Sequence, residues 1–193
     1  MTAPGKRVLR SDHPDAATLL TDGWSVVARS WGAGLRAADV DDARFRAALV
    51  PGVRELGAGD ADAVLRLDAA TADDYPGDVA SAHAPLTPAT ATPDGARRAW
   101  GAFDGESLVA MTFADVAGTH AETDFTVVAA SARRRGLATA VKAASVLALV
   151  AEGVATFRTG GSADNAGSLA ANRALGYVVD EEWWTLAAPA PGR

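Results

Sequence analysis

Cysteine is absent from the 193-residue sequence. Its absence excludes disulfide bonds, thiolate zinc sites, iron–sulfur clusters and cysteine nucleophiles. Because a chain without disulfides is typical of a reducing compartment, we expect a cytoplasmic protein. Histidine is also scarce, and the three histidines, His13, His83 and His120, do not have the spacing of metal ligands. The sequence therefore predicts no metal site.

Positive charge and long hydrophobic segments are both limited. The formal net charge is −6, which argues against general affinity for nucleic acid. The most apolar segment, residues 137–151, is shorter than the roughly 20 residues that a membrane-spanning helix needs, and no apolar segment near residue 1 is organised as a signal peptide. We therefore expect a soluble protein that binds neither nucleic acid nor a membrane.

Hydrophobic residues make up 49% of the chain, which is enough for a substantial core. A length of 193 residues corresponds to one full domain with an extension. Pro51-Gly52 interrupts the pattern of elements, so we predict an N-terminal extension over residues 1–50 and a main domain over residues 51–193.

The extension has a weak similarity to the end of the chain. Trp31 follows Gly23-Trp24-Ser25-Val26, and Trp184 follows Gly176-Tyr177-Val178-Val179 at the same distance. Two explanations stay open: a chance match between helix–glycine–strand units, or a remnant of a second copy of the domain that retains its last helix and strand. A remnant could form a dimer surface with exposed Trp24 and Trp31, so a monomer and a homodimer are both compatible with the sequence.

The residues after Pro51 predict the order β-α-loop-β-β-β-α-β-α-β. Two apolar runs, 99–103 and 107–113, are joined by Asp104-Gly105, a dipeptide typical of tight hairpin turns. Residues 136–152 form a long apolar pattern that ends at Gly153 and predicts a helix buried against a sheet. A hairpin followed by βαβαβ predicts a mixed sheet with helices packed on it.

The segment Arg133-Arg134-Arg135-Gly136-Leu137-Ala138 lies between a predicted strand and this helix. The free N–H groups of a helix start, the positive end of the helix dipole and neighbouring guanidinium groups together make an anion site, for which pyrophosphate is a suitable ligand. The structural alternative is an exposed basic loop in which Gly136 allows a turn. The segment is not a P-loop, and it lacks the three-glycine dinucleotide fingerprint.

These motifs, taken in order, resemble the GNAT superfamily of acetyl-CoA-dependent N-acetyltransferases. The family signature Arg/Gln-x-x-Gly-x-Gly/Ala matches Arg133-x-x-Gly136-x-Ala138, and Val128 precedes the arginine at the family's spacing. Asn165 and the later segment Asn172-Arg173-Ala174-Leu175-Gly176-Tyr177 are similar to the family's Asn-x6-Tyr-x3-Gly-Phe segment, with two substitutions. The resemblance covers about residues 53–186. It implies an α+β, three-layer α/β/α fold with a mixed, largely antiparallel central sheet, the acyl-CoA N-acyltransferase fold.

The resemblance also implies which residues bind acetyl-CoA, the expected co-substrate. Backbone groups of the strand before the signature would pair with the pantetheine arm, and amides of the helix start would hold the pyrophosphate, with Thr139 as a hydroxyl donor. Asn165 would contact the arm, although a simple helix cap explains it equally well. The implied cofactor-binding residues are Val127, Val128, Ala129, Arg133, Arg134, Arg135, Gly136, Leu137, Ala138, Thr139 and Asn165.

Glu122 is the candidate general base, because it has the spacing from Arg133 that histone acetyltransferase-like members of the family show. An alkylammonium acceptor has a pKa near 10 and must lose a proton before it attacks a thioester. Strand alternation predicts Glu122, Asp124 and Thr126 on one face, so Asp124 could assist at the substrate site. The alternative is that both carboxylates are solvated charges at a strand start.

The family's acid is missing. Many members place a Tyr seven residues after the Asn to protonate the leaving thiolate, and Asn172 stands there. An amide has no proton to give at neutral pH, so the remaining catalytic roles for Asn172 are a hydrogen bond to the sulfur or the ordering of a water. Tyr177 occupies a position that the family uses for packing, and we expect it in the core.

Asp73, Asp74 and Tyr75 correspond to the segment that lines the acceptor pocket in related enzymes, and carboxylates beside an aromatic ring suit a cationic amine. A polar surface loop is the alternative. The leading hypothesis is an acetyl-CoA-dependent N-acetyltransferase in which a primary amine of a small molecule or peptide attacks the thioester directly. The competing hypothesis, motivated by Asn172, is a non-catalytic acyl-CoA-binding sensor or interaction module.

Overall fold

The computed structural model describes residues 5–72 and 84–189. The strands are β1 (Lys6–Arg10), β2 (Ser25–Arg36), β3 (Val53–Glu55), β4 (Arg97–Asp104), β5 (Ser107–Ala117), β6 (His120–Val128), β7 (Thr156–Ser162) and β8 (Val178–Ala187). The α-helices are α1 (Pro14–Thr21), α2 (Asp42–Ala48), α3 (Ala61–Thr71), α4 (Leu137–Ala151) and α5 (Ala166–Ala174). Single-turn 3₁₀ helices lie at Ala37–Asp39, Ala58–Asp60 and Ala130–Ala132.

All eight strands belong to one sheet with the order β1-β8-β2-β7-β6-β5-β4-β3. Only β6 and β7 are parallel; every other neighbouring pair among the described strands is antiparallel. The predicted mixed, largely antiparallel sheet of an α+β fold is therefore confirmed. Helix α4 joins the two parallel strands. It must run opposite to them, because the chain has to return to the end of the sheet where β6 began before β7 can run parallel to it.

Helices cover both faces of the sheet. Met111 and Phe113 on β5 share a buried cluster with Val64 of α3, whereas Ala110 on the same strand packs in a cluster with Val141 of α4. Neighbouring side chains on a strand point to opposite faces, so α3 and α4 lie on opposite sides. A further cluster packs α2 and the remaining part of α4 against β2 and β7. The predicted three-layer α/β/α arrangement is confirmed.

The local sequence accounts for most of the elements. The last pair of the β4–β5 hairpin before its turn is Asp104↔Ser107. Gly105 in the turn has φ +61°, the positive φ that a tight hairpin turn requires and that glycine readily adopts. Gly153 with φ +95° follows α4, as predicted. After Pro51 the described elements follow the predicted order. β1 was not predicted, because its five residues carry three cations and pair only at the edge of the sheet, with β8.

The N-terminal segment is built into the sheet. β2 lies between β7 and β8 and pairs antiparallel with both strands. Trp31 is 6% exposed, and its indole Nε1 donates to the carbonyl oxygen of Ser162 at 3.1 Å. The expectation of an exposed Trp31 on a dimer surface is therefore wrong, because this indole fills the core between β2 and the helices; Trp24 is partly exposed. The origin of residues 1–50 as a remnant of a second copy stays a prediction.

Within residues 5–72 and 84–189, no helix has both the length and the apolar character that crossing a membrane requires.

Candidate active site

A cleft opens where β6 and β7 diverge. The two strands pair only from His120↔Thr156 to Glu122↔Arg158; beyond that point β6 continues with β5, and β7 continues with β2. The cleft has a volume of about 680 Å³, within the range of small-molecule sites. Its walls come from β6, the loop before α4, the first turns of α4, and α5, with Thr71 of α3 at the far side. The cleft therefore runs from the α4 face of the sheet toward the α3 face.

The loop before α4 has an unusual backbone. Arg134 has φ +61° and Gly136 has φ +76°, and Arg134 is the one non-glycine residue with positive φ in the described parts of the chain. Alternating backbone handedness turns successive N–H groups inward, which is the geometry of an anion-binding nest. Gly136 caps α4 without a side chain, and the first helical hydrogen bond runs from Ala140 N–H to its carbonyl.

Three backbone N–H groups are consequently left without helical partners at this mouth of the cleft. They belong to Leu137, Ala138 and Thr139, all of which line the cleft. The open space around Gly136, where an added Cβ would meet no atom within 4 Å, leaves room for a ligand against them. The predicted helix-start anion site therefore has the required donors and the required space.

The three arginines point in different directions. Arg133 and Arg134 line the cleft, and the Nε of Arg133 donates to the carbonyl of Val128 at 3.3 Å. Arg135 turns away and forms an ion pair with Asp104 in the β4–β5 hairpin, 3.0 Å between Nη1 and Oδ2. Arg133 and Arg134 therefore supply positive charge to the cleft, whereas Arg135 fastens the loop to the hairpin.

Backbone alternation decides which strand amides face the cleft. The N–H of Ala129 donates to Val109 on β5 at 2.8 Å, so it is directed away from the cleft. N–H groups on a strand alternate between its two neighbours, so Val127 also points to β5, and Thr126 and Val128 point into the gap. Val127, Val128 and Ala129 were predicted to pair with the pantetheine arm of CoA. Of these three residues, Val128 presents its N–H to the cleft, whereas the N–H groups of Val127 and Ala129 point to β5.

Asn165 caps helix α5 at the wall of the cleft. Its Oδ1 accepts a hydrogen bond from the N–H of Ser168 at 3.0 Å, which caps α5. It also lines the cleft opposite the α4 N-terminus. The cap fixes the orientation of its side chain toward the wall of the cleft.

A β-bulge determines where the two candidate carboxylates lie. The pairing of β5 with β6 shifts between Phe113↔Phe125 and Ala114↔Thr123, which leaves Asp124 as the extra residue. Glu122 lies opposite Asp115, on the same face as Phe113 and α3, whereas Thr126 lies opposite Thr112 on the α4 face. The expectation that Thr126 shares a face with Glu122 is wrong, because the bulge changes the alternation between them.

The two carboxylates have different surroundings. Asp124 accepts a hydrogen bond from Arg97 at 2.6 Å, and Arg97 also pairs with Asp115, so Asp124 is held in an ion-pair network. Glu122 is exposed, and its carboxylate makes no hydrogen bond or ion pair with the described residues. Glu122 is thus free to accept a proton at the point where β6 and β7 begin to separate.

Asn172, the other candidate catalytic residue, lies below the wall of the cleft. It is 1% exposed and does not line the cleft, and its Nδ2 donates to the carbonyl of Ser168 at 2.9 Å. Its Oδ1 has no protein partner among the described residues. Tyr177 lies in the core beside Leu175, and burial raises the pKa of its hydroxyl far above its ordinary value. In this conformation neither side chain reaches a ligand in the cleft.

Lys142 was not among the predicted site residues. It lines the cleft from α4, is 4% exposed, and its Nζ donates to the Oγ1 of Thr159 at 3.1 Å. Burial lowers the pKa of this ammonium to about 7. The signal in the sequence was a single cation in the middle of an otherwise apolar helix, and one of only two lysines in the chain.

Asp73, Asp74 and Tyr75, the predicted acceptor residues, lie outside the described residues. In the parts of the chain that are described, no group of histidine and carboxylate side chains has the arrangement of a metal site.

Comparison with known proteins extends these findings. No protein-family model matches the chain. No curated protein matches it either. Among solved structures, a GCN5-related N-acetyltransferase from Kribbella flavida is similar at 20% identity and a TM-score of 0.63, over 96% of this chain and 68% of its own. A GNAT-family protein from Novosphingobium aromaticivorans matches 98% of this chain and 70% of its own, at 18% identity and a TM-score of 0.59.

A tandem GNAT protein from clavulanic acid biosynthesis matches 96% of this chain and 65% of its own, at 17% identity and a TM-score of 0.65. The chain thus spans about two thirds of the length of these structures. At such identities the likeness shows the fold, and the chain has the GNAT, or acyl-CoA N-acyltransferase, fold.

Proposed function

We propose that this protein is an acetyl-CoA-dependent N-acetyltransferase that transfers the acetyl group to a primary amine of a small molecule or peptide. The observation that carries the proposal is the cleft between the diverging strands β6 and β7, which has free helix-start amides in its wall, with the carboxylate of Glu122 at the last β6–β7 pair, where the strands begin to separate. The GNAT fold, in which related structures are N-acetyltransferases, supports the same reaction.

The residues at the α4 end of the cleft fit the pyrophosphate of a nucleotide co-substrate. The amides of Leu137, Ala138 and Thr139 would hold the phosphate oxygens, and the guanidinium groups of Arg133 and Arg134 would balance their charge. The N–H of Val128 and the side chain of Asn165 would bind the pantetheine arm, which continues from the pyrophosphate into the cleft. When bound, the thioester supplies an acyl group that is activated toward amines.

Glu122 would accept the proton of the attacking amine, directly or through a water. Deprotonating an alkylammonium with a pKa near 10 at pH 7 costs about 4 kcal/mol, at about 1.4 kcal/mol per unit. A carboxylate that is not engaged in another ion pair can receive this proton, whereas the carboxylate of Asp124 is held by Arg97. Asp124 would then shape the acceptor side through Arg97.

Two measurements test the proposal in sequence. Calorimetric titration with CoA and acetyl-CoA should show binding, and replacing Arg134 should weaken it; absence of binding would refute the proposal. A panel of primary amines is then scored by release of free thiol from acetyl-CoA. Thiol release that depends on one class of amine supports the enzyme. Binding without amine-dependent release across the panel supports the sensor hypothesis, for which the buried position of Asn172 is the structural argument.

A further inference from the structure

Lys142 lines the cleft from α4. It is six residues into α4 from the cap Gly136, which corresponds to about 9 Å along the helix axis. Its Nζ reaches Thr159, the first residue of β7 after the last pair with β6, Glu122↔Arg158. A linear ligand that starts at the helix-start amides and follows the cleft therefore reaches this amine where the strands meet.

Among the described residues, none of the groups around the Lys142 amine carries a compensating negative charge. β7 contributes the hydroxyl of Thr159, and the ring of Tyr177 lies 5.9 Å from Nζ, with its hydroxyl protonated because burial raises its pKa. β6 contributes Thr126, and α5 contributes Asn165 and Ser168 to the same cleft, all neutral. No carboxylate of the described residues forms an ion pair with Lys142, and the other charged residues in the described lining of the cleft are the cations Arg133 and Arg134.

A buried, unpaired amine at position 142 is unfavourable if the side chain serves only to fill space in the core. A buried amine with one hydrogen-bond partner leaves its remaining N–H groups unsatisfied, whereas a methionine would fill the same space without that cost. Lys142 belongs to the lining of the cleft, so its remaining donors border the space that a ligand would fill. They are available to a group that becomes negative at the end of a bound ligand.

We propose that Lys142 is the proton donor to the leaving sulfur in acyl transfer, a role that rests on the proposed function. The amine nitrogen of the acceptor forms a bond to the thioester carbonyl carbon, and the carbon–sulfur bond breaks with its electron pair on sulfur. A proton from the Nζ of Lys142 then passes to that sulfur, so that CoA leaves as a neutral thiol. The acceptor nitrogen loses its own proton to Glu122 or water, and Lys142 regains a proton from solvent after the products leave.

The acidity of the two groups supports the transfer. An ammonium with a pKa of about 7 can protonate a thiolate whose conjugate thiol has a pKa near 8.5, whereas an ordinary lysine with a pKa above 10 cannot do so readily. Such a group is also close to half-protonated at neutral pH, the condition under which general acid catalysis is most effective. Lys142 would thereby fill the role that Asn172 cannot.

The first test needs no acceptor and uses CoA itself as the probe. CoA is bound at saturating concentration, and the ionisation of its thiol is followed by ultraviolet absorption from pH 5 to 10. In the wild-type protein we expect thiolate absorption to appear at least about one pH unit below that of free CoA, because the amine and the thiol then share one proton and some of the pairs hold it on nitrogen. In Lys142→Met the thiol should ionise at or above the pH of free CoA. Lys6→Met, which replaces the other lysine, is the matched control and should behave as wild type.

The outcomes separate this proposal from the one on which it rests. If wild-type protein does not bind CoA, the proposed function fails. If wild type and Lys142→Met both bind CoA and their thiols ionise at the same pH, the role of Lys142 fails while the CoA site stands. Thr159→Val keeps the amine but removes its hydrogen bond, so it should give a smaller change in the same direction, which keeps the test decisive if Lys142→Met does not fold.

The second test uses acetyl-CoA with the amine that the screen identifies. Lys142→Met should lower kcat by about 100-fold, leave the KM for acetyl-CoA within about threefold, and abolish the decrease of kcat at high pH that deprotonation of Lys142 causes in wild type. Mass spectrometry of the protein after incubation with acetyl-CoA is the counter-check. Stable acetylation of Lys142 that does not turn over would overturn the proposal, because the amine would then be acting as a nucleophile.

Discussion

Replacing Lys142 with Met should change how the stability of the protein depends on pH. Lys142 is 4% exposed, and burial lowers the pKa of its ammonium from 10.5 to about 7. In the unfolded chain the same amine stays protonated up to about pH 10.5. Between these two values the unfolded state binds one more proton than the folded state, so the free energy of unfolding of the wild-type protein must rise with pH.

The size of the effect follows from the two pKa values. The interval from about 7 to 10.5, at about 1.36 kcal/mol per unit, corresponds to about 5 kcal/mol of destabilisation that is fully present below pH 7 and removed by pH 10.5. Between pH 7.5 and 9.5 the wild type should therefore gain about 3 kcal/mol relative to Lys142→Met. All other titrating groups are common to both proteins and cancel in the difference.

Urea unfolding of both proteins at several pH values between 6 and 9.5 measures this difference directly. Lys142→Met should be more stable at pH 6, and its advantage should shrink steadily above pH 7. Parallel stability curves over the whole range would refute the reasoning, because they would mean that the folded protein keeps Lys142 charged. The acidity argument for proton donation to sulfur would then lose its basis as well.

Three further predictions concern the backbone of the cleft, the base and the N-terminal segment. Arg134→Gly should raise the free energy of unfolding by about 0.5–1 kcal/mol in urea unfolding, because relief of the positive φ outweighs the flexibility of glycine, and it should weaken CoA binding in calorimetry. Gly136→Ala should instead lower the free energy of unfolding by about 1–2 kcal/mol. A change of the same sign in both variants would contradict the strain argument. Glu122→Gln should lower kcat by about 100-fold or more and leave the acetyl-CoA affinity nearly unchanged, and an unaltered rate from pH 6 to 9 would remove this residue from the mechanism. A chain that starts at Pro51 should be insoluble or lack cooperative unfolding, because β2 separates β7 from β8; a soluble product with a sharp thermal transition would show that the sheet closes without it.

Local signals predicted most elements of the main domain. The Asp104-Gly105 turn and the apolar run of α4 each depend on a few neighbouring residues, so the hairpin and the helix could be recognised directly. The place of β2 between β7 and β8 depends instead on pairing between residues that are more than 100 positions apart, such as Trp31 and Gly161. No periodicity within the N-terminal segment contains that information, although the pairing explains why Trp31 is buried.

The candidate site was predictable where it depends on backbone chemistry and less so where it depends on side-chain direction. The helix-start amides follow from Gly136 and the adjoining apolar helix. The orientation of Glu122 relative to Thr126 did not follow from simple alternation, because the bulge at Asp124 inserts one residue between them. A bulge of this kind has no composition signal in a strand with ordinary residues, so its effect appears only in the register.

Two unfavourable local features of the described chain lie in the lining of one cleft. Arg134 adopts a left-handed conformation that L residues avoid, and Lys142 buries an amine that has no charged partner among residues 5–72 and 84–189. Each costs stability that a glycine or a methionine would recover, and neither contributes to the hydrophobic clusters that hold the sheet and helices together. Proteins usually retain unfavourable local features of this kind at functional sites, where the feature serves binding or catalysis and the rest of the structure compensates for its cost in stability. Their common location therefore supports the proposal of a reaction in this cleft, and this support does not depend on any resemblance to other proteins.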